Sequence, residues 1–413
     1  MNYLLVNHVP FGRSASPGTF LIGDMWLEDL RAQCRALRAR GVNLIVATPL
    51  VEKLDNAASG SFNSVEIDPA GEGFEYIPLP HYISAKSFLQ VRGALRQRLR
   101  QAIARSDIVQ ADYGGHPVAL GQVVWPLAAG RKRIWAFDGA DPFPRLELNA
   151  SNERNPLKRV GKRIAVGRFE KFCRRAVAEA DVVFAHNASV VERFKAQWSS
   201  RCHTFHRTFV KAETLITPAQ LAERKQAILD TAQPLRLIVA GRQIRIKATD
   251  HVLRAMAAAR ARGADLRLDI LGEGEDLAAF AKLTDELKLA DCVRFLGTVP
   301  YGDALFDTWW PAHVMVVTNL TAEISRNVLL AMARGLALIM YRNAGTDDLI
   351  AHNDAAILVP TGDIAALADA FVAACHDRAR LSQLLENGLA TARNNTLDAC
   401  HEKRIELALG AVR

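Results

Sequence analysis

Short apolar runs alternate with amphipathic stretches along most of the first half of the chain. The runs YLLVNHV and VNLIVATPL are separated by LEDLRAQCRALRARG, whose apolar residues recur at helical spacing. DIVQADY, RIWAFDG and ADVVFAH continue the alternation. Strands buried on both faces are almost continuously apolar, and helices between them permit parallel pairing. This half is therefore predicted to form a parallel α/β sheet.

The same alternation begins again in the second half of the chain. Its apolar runs are LRLIVAG, LRLDILG, VRFLG, VMVVTNL, LALIMYR and AAILVP, and TDHVLRAMAAARARG is one of the helices between them. A polar helical segment, residues 217–234, separates the two sets and is interpreted as the linker region. The pattern predicts an α/β chain with two doubly wound, Rossmann-like domains.

Length and composition fit this organisation. A chain of 413 residues is too long for one ordinary core, and 50% hydrophobic with 23% charged residues is normal for a globular enzyme. No apolar run reaches the roughly 18 residues of a membrane span, and MNYLLVNHVPFG is predicted as a first strand, not a signal peptide. The six cysteines have no paired spacing, which suggests neither a zinc site nor a disulfide framework and favours a cytoplasmic compartment.

The chain is basic, with a formal charge of +8 and a pI of about 9.3. This favours anionic partners such as a nucleotide, a phosphorylated lipid, a membrane surface or nucleic acid, without choosing among them. Few aromatic residues interleave with the charges, and no nucleic-acid motif is present, so nucleic acid is disfavoured.

Ligands of parallel sheets bind beyond the carboxyl ends of the strands, and two glycine loops lie there in the second half. Gly241, Arg242 and Lys247 follow LRLIVA, and two cations beside a helix start suit a diphosphate. Gly272 and Gly274 follow LRLDI and could admit close approach of a nucleoside. Solvated loop charges and an ordinary turn are the alternatives.

The stretch TAEISRNVLLAMARG, residues 321–335, places one acid before a short apolar helix. Ser325 or Asn327 is predicted to cap this helix. The first backbone amides of the helix would then point towards the cleft in which a ligand is expected. Glu323 is a poor phosphate ligand but a good acceptor for sugar hydroxyls. The alternative is a solvated loop acid.

Polar residues also follow two strands of the first half. Asp112 and His116 come at or after the end of DIVQADY, and Asp138 and Asp141 follow RIWAF. Positions at strand ends make all four candidate site residues. The alternatives are turn-capping aspartates and a loop histidine.

The ordered motifs AGRQIRIKATDHVLRAM, LDILGEGED, VRFLGTVP, EISRNVLLAMARG, NAGTDDLI and ILVPTGD resemble the donor half of retaining glycosyltransferases of the GT-B fold, closest to family 4, the group 1 glycosyltransferases. The resemblance covers about 235–375. It implies two Rossmann-like domains facing across a cleft: an acceptor domain at 1–212, joined by the C-terminal helix at about 392–413, and a nucleotide-sugar domain at 213–391.

The resemblance also implies roles for individual residues. Arg242 and Lys247 would bind the donor diphosphate, and Glu323 would lie near the donor sugar, although it is one residue off the spacing of the family's E-x7-E signature. The second acid of that signature, which holds the ribose, is replaced by Leu330. The backbone that would contact sugar hydroxyls or phosphate belongs to Ser325, Arg326, Asn327 and Val328.

In the first half the resemblance is looser. Residues 8–24 are predicted to form a long loop in which Gly18 is the nearest match to the family's phosphate-reaching glycines, although the usual Gly-Gly is absent. Asp138 stands where many members have a histidine that contacts the transferred sugar. Asp112, His116 and Asp141 are assigned to the acceptor side.

The implied activity is sugar transfer from a UDP- or GDP-linked nucleotide sugar to a hydroxyl acceptor, with retention. The leaving phosphate would take the acceptor proton, which suits the lack of an obvious acid/base dyad in the sequence. No D-x-D motif ends a strand, so neither a metal nor another cofactor is predicted, and the cations replace the metal.

A basic segment suggests where such an enzyme would act. Residues 153–175 contain nine Lys/Arg and two Glu, and Leu157, Val160, Ile164 and Phe172 share roughly one helical face. This face suits an anionic membrane surface, packing on the N-domain core, or both. We therefore predict a cytoplasmic enzyme, peripheral on the inner face of the plasma membrane, that acts on a lipid-linked glycan in bacterial exopolysaccharide, capsule or lipopolysaccharide assembly. A soluble small-molecule glycosyltransferase and a non-catalytic GT-B-like binding subunit are the alternatives.

Overall fold

The computed structural model describes residues 1–54, 63–114, 118–138, 141–186, 188–206, 208–321, 324–350 and 353–410. Its contacts divide the chain into two compact units. The first unit comprises Met1–Arg207 with Asp398–Arg413, and the second comprises Thr208–Leu397. The sequence predicts this division after residue 212 and assigns the last helix, at about 392–413, to the first domain.

The first unit is built on one sheet, in which the described residues form ten strands. The strands are β1 (Asn2–Val6), β2 (Phe11–Arg13), β3 (Phe20–Gly23), β4 (Asn43–Val51), β5 (Ser64–Ile67), β6 (Phe74–Pro80), β7 (Ile108–Asp112), β8 (Lys132–Phe137), β9 (Val182–Ala185) and β10 (Cys202–Thr204). The helices of this part are α1 (Asp24–Arg38), α2 (Pro69–Glu72), α3 (Ala85–Ala104), α4 (Leu120–Leu127), α5 (Pro142–Ser151), α6 (Pro156–Glu179) and α7 (Ala188–Arg193).

The order of this sheet is β10-β9-β8-β7-β1-β4-β2-β3-β5, and β6 also pairs with β4. Among the strands of the described residues, only the pairs that β3 makes with β2 and β5 are antiparallel. Along β1, Leu4 and Val6 enter one hydrophobic cluster, whereas Tyr3 and Leu5 enter another. Alternate residues thus face opposite sides of the sheet, and burial on both sides explains the apolar runs.

The second unit contains a six-stranded, all-parallel sheet in its described residues. Its strands are β11 (Leu235–Ala240), β12 (Leu266–Leu271), β13 (Val293–Gly297), β14 (Val314–Val317), β15 (Ala337–Arg342) and β16 (Ile357–Pro360). Its helices are α8 (Pro218–Leu229), α9 (Thr249–Ala261), α10 (Leu277–Glu286), α11 (Asp303–Trp309), α12 (Asn327–Ala333), α13 (Ala344–Ile350), α14 (Ile364–His376) and α15 (Arg378–Asn394). The last helix, α16 (Leu397–Gly410), belongs to the first unit from Asp398 onward. The order β13-β12-β11-β14-β15-β16 buries Leu237 and Ile238 on opposite faces.

The linker interpretation of residues 217–234 is wrong. This segment contains α8, which is an integral part of the second unit because Lys225 pairs with Glu386 of α15 at 2.5 Å. Arg224 of α8 is buried and donates to the carbonyl oxygens of Trp310 and Ala312. A helix with polar surface residues therefore packs through a buried arginine, which the sequence pattern did not indicate.

The single long loop predicted at 8–24 is also wrong, since this segment contains β2 and β3. Phe11 of β2 is fully buried and stacks on Tyr76 of β6, with 4.4 Å between ring centroids. Three- and four-residue strands are too short for periodicity to identify, and the ring contact that holds them is long-range. Among the described residues, no helix is both long and apolar enough to cross a membrane.

Candidate active site

The strand order of the second sheet locates its binding edge. From β11 the chain proceeds outward to β12 and β13, then returns to place β14 on the other side of β11. Ligands of open parallel sheets bind at such a reversal of strand order, beyond the carboxyl ends. The loops after β11 and β14 therefore form the candidate donor site, and they carry most of the donor residues predicted from sequence.

Gln243 fixes the loop that follows β11. Its buried side-chain amide donates to the carbonyl oxygens of Gly241 and Leu271, both at 2.9 Å, and accepts from the Thr249 hydroxyl at 2.8 Å. One side chain thus joins the ends of β11 and β12 to the start of α9. This positions Arg242, the residue between Gly241 and Gln243.

The two glycines after β12 make a close backbone contact. A Cβ at Gly272 would overlap the carbonyl oxygen of Gly241, and one at Gly274 would overlap that of Gln243. The backbone amide of Gln243 also donates to the Glu273 carbonyl at 2.9 Å. The glycines are therefore required for packing of one loop on the other, whereas their predicted contact with the donor stays a prediction.

The loop after β14 is tied to the same place. The Thr318 hydroxyl donates to the Lys247 carbonyl at 2.7 Å, and the Leu320 amide donates to that of Ile246 at 2.9 Å. The Asn327 side chain donates to the Ala240 carbonyl at 3.0 Å. These bonds bring Thr318, Leu320 and Asn327 against the loop that carries the cations.

The cations occupy a strained turn before α9. Arg242 and Arg245 are exposed, and Lys247 is half-buried in a 3-10 turn, Arg245–Lys247. Ala248 follows with φ of +50°, a conformation that L residues seldom adopt, and α9 begins there without a side-chain cap. Basic side chains and an uncapped helix start are features of anion sites.

α12 differs from its prediction in how it begins. Its N-cap is Arg326, which makes no capping side-chain bond, and the Ser325 hydroxyl accepts from the Asn327 amide only at 3.4 Å. The Val328 amide donates to the Ser325 carbonyl at 3.0 Å. Predicted capping by Asn327 is wrong, because its side chain bonds to the end of β11. Glu323 lies outside the described residues.

Leu330 and the exposed Arg326 have contrasting surroundings. Leu330 is 6% exposed and belongs to an apolar cluster that includes almost all of α12. The Arg326 guanidinium lies over the Phe209 ring, 5.1 Å from its centroid. The position where the family signature has its second acid is therefore a packed core position in this chain.

The first sheet reverses its order between β1 and β7, and an acid/base pair lies there. The His8 Nδ1 is 2.6 Å from the Asp112 Oδ2, and the other Asp112 oxygen accepts from the Gly114 amide at 3.2 Å. Asp112 is 2% exposed, whereas 39% of the His8 side chain is exposed. His116 lies outside the described residues.

Asp138 is the centre of a buried polar network. Its carboxylate accepts from the Gln110 amide at 3.1 Å and the Arg404 guanidinium at 2.9 Å, and bonds to the His186 Nε2 at 3.1 Å. Burial alone would raise the pKa of this carboxyl, but the Arg404 cation and the bond to His186 outweigh it and hold that pKa well below its usual range. The structure gives Asp138 a fastening role, and its predicted contact with the sugar stays a prediction.

Asp141 and Gly18 have local roles. Asp141 caps α5, accepting from the Phe143 amide at 3.0 Å, and also accepts from the Ser189 hydroxyl at 3.0 Å. Gly18 has a φ of +82° in the turn between β2 and β3. Asp141 therefore caps a helix. Its acceptor-side role and donor contact by Gly18 both stay predictions.

Sequence reasoning missed His8 and Gln243. Both follow a buried strand within a few residues, so the strand-end rule applied to Asp112 would have included them. Their partners could not be found this way, since His8 and Asp112 are 104 residues apart.

The sequence was compared with known proteins. Residues 234–377 match the profile of the family described as Glycosyl transferases group 1. An exopolysaccharide phosphotransferase of Streptomyces coelicolor is 29% identical over 147 residues, which are 35% of this chain and 15% of that protein. The amylovoran biosynthesis glycosyltransferase AmsK of Erwinia amylovora is 28% identical over 142 residues, 33% of this chain and 35% of that protein. The chain thus aligns with well under half of either relative.

A solved structure extends the similarity to the whole chain. HepE of Anabaena in complex with UDP is similar over 100% of both chains, with a TM-score of 0.66 and 14% identity. This likeness concerns the fold, which agrees with the two parallel sheets described above. The chain accordingly has the GT-B fold, and residues 234–377 match the group 1 glycosyltransferase family.

Proposed function

We propose that this protein is a glycosyltransferase that moves a sugar from a UDP- or GDP-linked donor to a hydroxyl acceptor, with retention at the anomeric carbon. The observation that carries the proposal is the reversal of strand order in the second sheet. There, hydrogen bonds join the loops that follow β11 and β14, and Arg242, Arg245 and Lys247 lie just before the uncapped start of α9. HepE, which shares the fold, binds UDP.

Charge explains how these residues act. Departure of the sugar leaves negative charge on the diphosphate, and fixed cations stabilise that charge. Gln243 and Thr318 fix the cationic loop before the donor arrives, so little reorganisation is needed. Because the chain has no D-x-D motif at a strand end, we expect donor binding to persist in EDTA.

A panel of nucleotide sugars tests the donor site. We expect one UDP- or GDP-sugar to raise the melting temperature of the wild-type protein, since a ligand of the folded state stabilises it. Arg242→Ala and Lys247→Ala should each weaken binding about 10- to 100-fold, the usual value of a charge-assisted hydrogen bond. Arg254→Ala, which removes an exposed cation of α9, should bind normally. No shift with any donor at millimolar concentration would contradict the proposal.

The acceptor is proposed to be a lipid-linked glycan of exopolysaccharide, capsule or lipopolysaccharide assembly at the inner face of the plasma membrane. Support comes from the basic helical surface, which we define as the exposed apolar and basic side chains of α5, α6 and the turn between them. Its apolar members are Leu148, Leu157, Val160 and Ile164, which are 58%, 83%, 55% and 51% exposed.

These exposures support the membrane proposal for residues 153–175. Packing on the N-domain core is wrong for Leu157, Val160 and Ile164, and it holds for Phe172, which packs against a core cluster. Cations that make no ion pair within the described residues surround the exposed side chains: Arg154, Lys158, Arg163, Arg168 and Lys171. Apolar groups flanked by cations complement an anionic headgroup layer.

Vesicle pelleting tests this surface. The wild-type protein should sediment with phosphatidylglycerol vesicles and much less with phosphatidylcholine vesicles, and added salt should weaken the association. Leu157→Ser combined with Ile164→Ser should release the protein, while Ile83→Ser, which alters an apolar residue 73% exposed elsewhere, should not. Equal sedimentation with both lipids would contradict the membrane proposal but not donor binding.

A further inference from the structure

The segment around α3 is a second concentration of positive charge in the first unit, apart from α5 and α6. Residues 76–106 contain six Lys/Arg and neither Asp nor Glu. Two of these cations are engaged, since Arg105 pairs with Glu75 at 2.6 Å and Arg98 donates to the Pro78 carbonyl. The other four are exposed and have no ion pair within the described residues, and we call them the cation row: Lys86, Arg92, Arg96 and Arg100.

The packing of α3 holds the cation row towards solvent. Leu95 and Leu99 are buried in the hydrophobic cluster on one side of the first sheet, which fixes the inner face of the helix. At its start the Ser84 hydroxyl caps the helix, accepting from the Ser87 amide at 3.1 Å. The row therefore belongs to a rigid element, and it extends over about 21 Å from residue 86 to residue 100.

The position of α3 places one end of the row near the ligand-binding edge of the first sheet. β6 is parallel to β4 and ends at Pro80, and α3 begins at Ala85. The carboxyl ends of parallel strands form the edge where ligands bind, and a helix that follows such a strand runs back along the sheet. An elongated ligand on the row would therefore have one end close to that edge.

The side chains beside the row suit a hydroxylated anion better than a lipid surface. Gln90, Gln97 and Gln101 are exposed, and their side chains make no hydrogen bond within the part of the chain that the structure describes. Amides both donate to and accept from hydroxyls. Among the described residues of α3, Leu89 is the only large apolar side chain that is exposed, whereas the basic helical surface has four. A helix that lies on a membrane needs a broad apolar face.

Gly93 leaves a gap in the middle of the row. It lies seven residues after Lys86 and seven before Arg100, so the three share one side of the helix. Glycine weakens a helix interior, and a Cβ at Gly93 would meet open space among the described residues, so packing does not require glycine here. The gap allows a ligand to approach the helix between two cations.

We propose that the cation row binds an anionic glycan, and that the acceptor is a glycan with carboxylate, phosphate or sulfate groups. Guanidinium groups bind such oxyanions through two parallel hydrogen bonds, and the neighbouring glutamines suit the hydroxyls of the sugar rings. The length of the row matches an oligosaccharide and exceeds a single sugar. This inference names the chemistry of the acceptor, so it rests on the proposed glycosyltransferase activity.

Titration with labelled glycans tests the row. The wild-type protein should bind oligogalacturonate or dextran sulfate, more weakly as salt is added, and should not bind neutral dextran. Arg96→Gln combined with Arg100→Gln should weaken binding on the order of 10-fold, since exposed ion pairs contribute modestly. Glutamine is a good helix former, so the melting temperature and the thermal shift with the donor should stay unchanged.

Two further variants separate the row from general charge and from the sugar contacts. Arg105→Gln is the matched control, because it removes from the same helix a cation that already pairs with Glu75, and it should bind the acidic glycans as the wild type does. Gln97→Ala combined with Gln101→Ala leaves the charge unchanged and should still weaken glycan binding, since amide contacts to hydroxyls are lost.

Three results would overturn the inference. One is equal binding of dextran sulfate and neutral dextran, or binding of neither acidic glycan. Another is an equal loss in Arg105→Gln and in the double arginine variant. The third is a double arginine variant that binds acidic glycans normally but no longer sediments with phosphatidylglycerol vesicles, which would make the row a membrane contact. If instead no nucleotide sugar binds the wild-type protein, the proposed function fails, and the glycan titration still reports on the row, so the two failures are distinguishable.

Discussion

A buried histidine in the second unit is kept neutral by its neighbours. His313 is 6% exposed, and its Nδ1 accepts from the Arg236 amide at 3.2 Å. Burial, followed by the charges of Arg378, Arg224 and Arg236, lowers its pKa from 6.5 to about 4. A protonated imidazole would be repelled by these three cations, and its Nδ1 could no longer accept the hydrogen bond from the Arg236 amide.

This lowered pKa predicts a pH-dependent stability. Between pH 6.5 and 4, His313 is protonated in the unfolded chain but stays neutral in the folded protein. The free energy of unfolding should therefore fall as the pH drops through this range, by about 3 kcal/mol in all. Denaturant unfolding from pH 4 to 8 measures this slope. His313→Asn should flatten it, whereas His376→Asn, at an exposed position, should not. An unchanged slope in His313→Asn would contradict the explanation.

At the scale of single residues, the sequence predicts where candidate side chains lie better than what they touch. Arg242 lies beyond the end of β11 and Asp112 is the last residue of β7, as the alternation of strands and helices predicts. The partners of Asp138, however, come from β7, the end of β9 and α16, which are far apart in sequence. Such contacts follow from tertiary packing, which local patterns do not encode.

At the scale of elements, the site depends on one loop packing on another. Gly274→Ala would push a methyl group into the Gln243 carbonyl, so we expect a loss of stability of about 1–3 kcal/mol and weaker donor binding. Thermal unfolding and the donor titration measure the two effects. Gly93→Ala is the control: its Cβ meets open space in α3, and it should be neutral or slightly stabilising. Equal behaviour of the two variants would contradict the packing role.

The strands that the sequence predicts are those with both faces buried. β11 and β15 are almost entirely apolar because both sides of the sheet are buried. β2, β3 and β5 escape prediction, since they are short and β5 is mostly exposed. The sequence predicts α6 as an amphipathic helix. It does not predict that the apolar side chains of the first half of α6 are exposed, which the structure shows.

At the scale of the whole molecule, α16 is fastened to the first sheet through charge. Arg404→Met removes the cation from the Asp138 carboxylate, whose side chain is 20% exposed, so we expect a loss of stability of about 3 kcal/mol, the lower end for breaking a buried ion pair. Asp138 stabilises the fold above its unfolded pKa and loses this contribution as the pH falls below about 4. The free energy of unfolding of Arg404→Met should therefore fall less on acidification than that of the wild-type protein.

Urea unfolding at pH 7 and at pH 3 to 4 measures both effects. Arg35→Met is the matched control, because Arg35 also pairs with α16, through Asp398, but both side chains are about half exposed. It should change stability by less than about 1 kcal/mol. If Arg35→Met lost as much stability as Arg404→Met, the pairing of Arg404 with Asp138 would have no special role in holding α16.

The place of α16 in the chain has a consequence for biosynthesis. Arg404 leaves the ribosome after all of the second unit, so Asp138 must wait for its cation until translation has passed residue 404. The second unit is complete seven residues earlier, when the Leu397 amide can bond to the Val210 carbonyl at 2.7 Å. Domains generally mature as units during synthesis. The part of the protein made first is thus expected to be the last to reach its final structure.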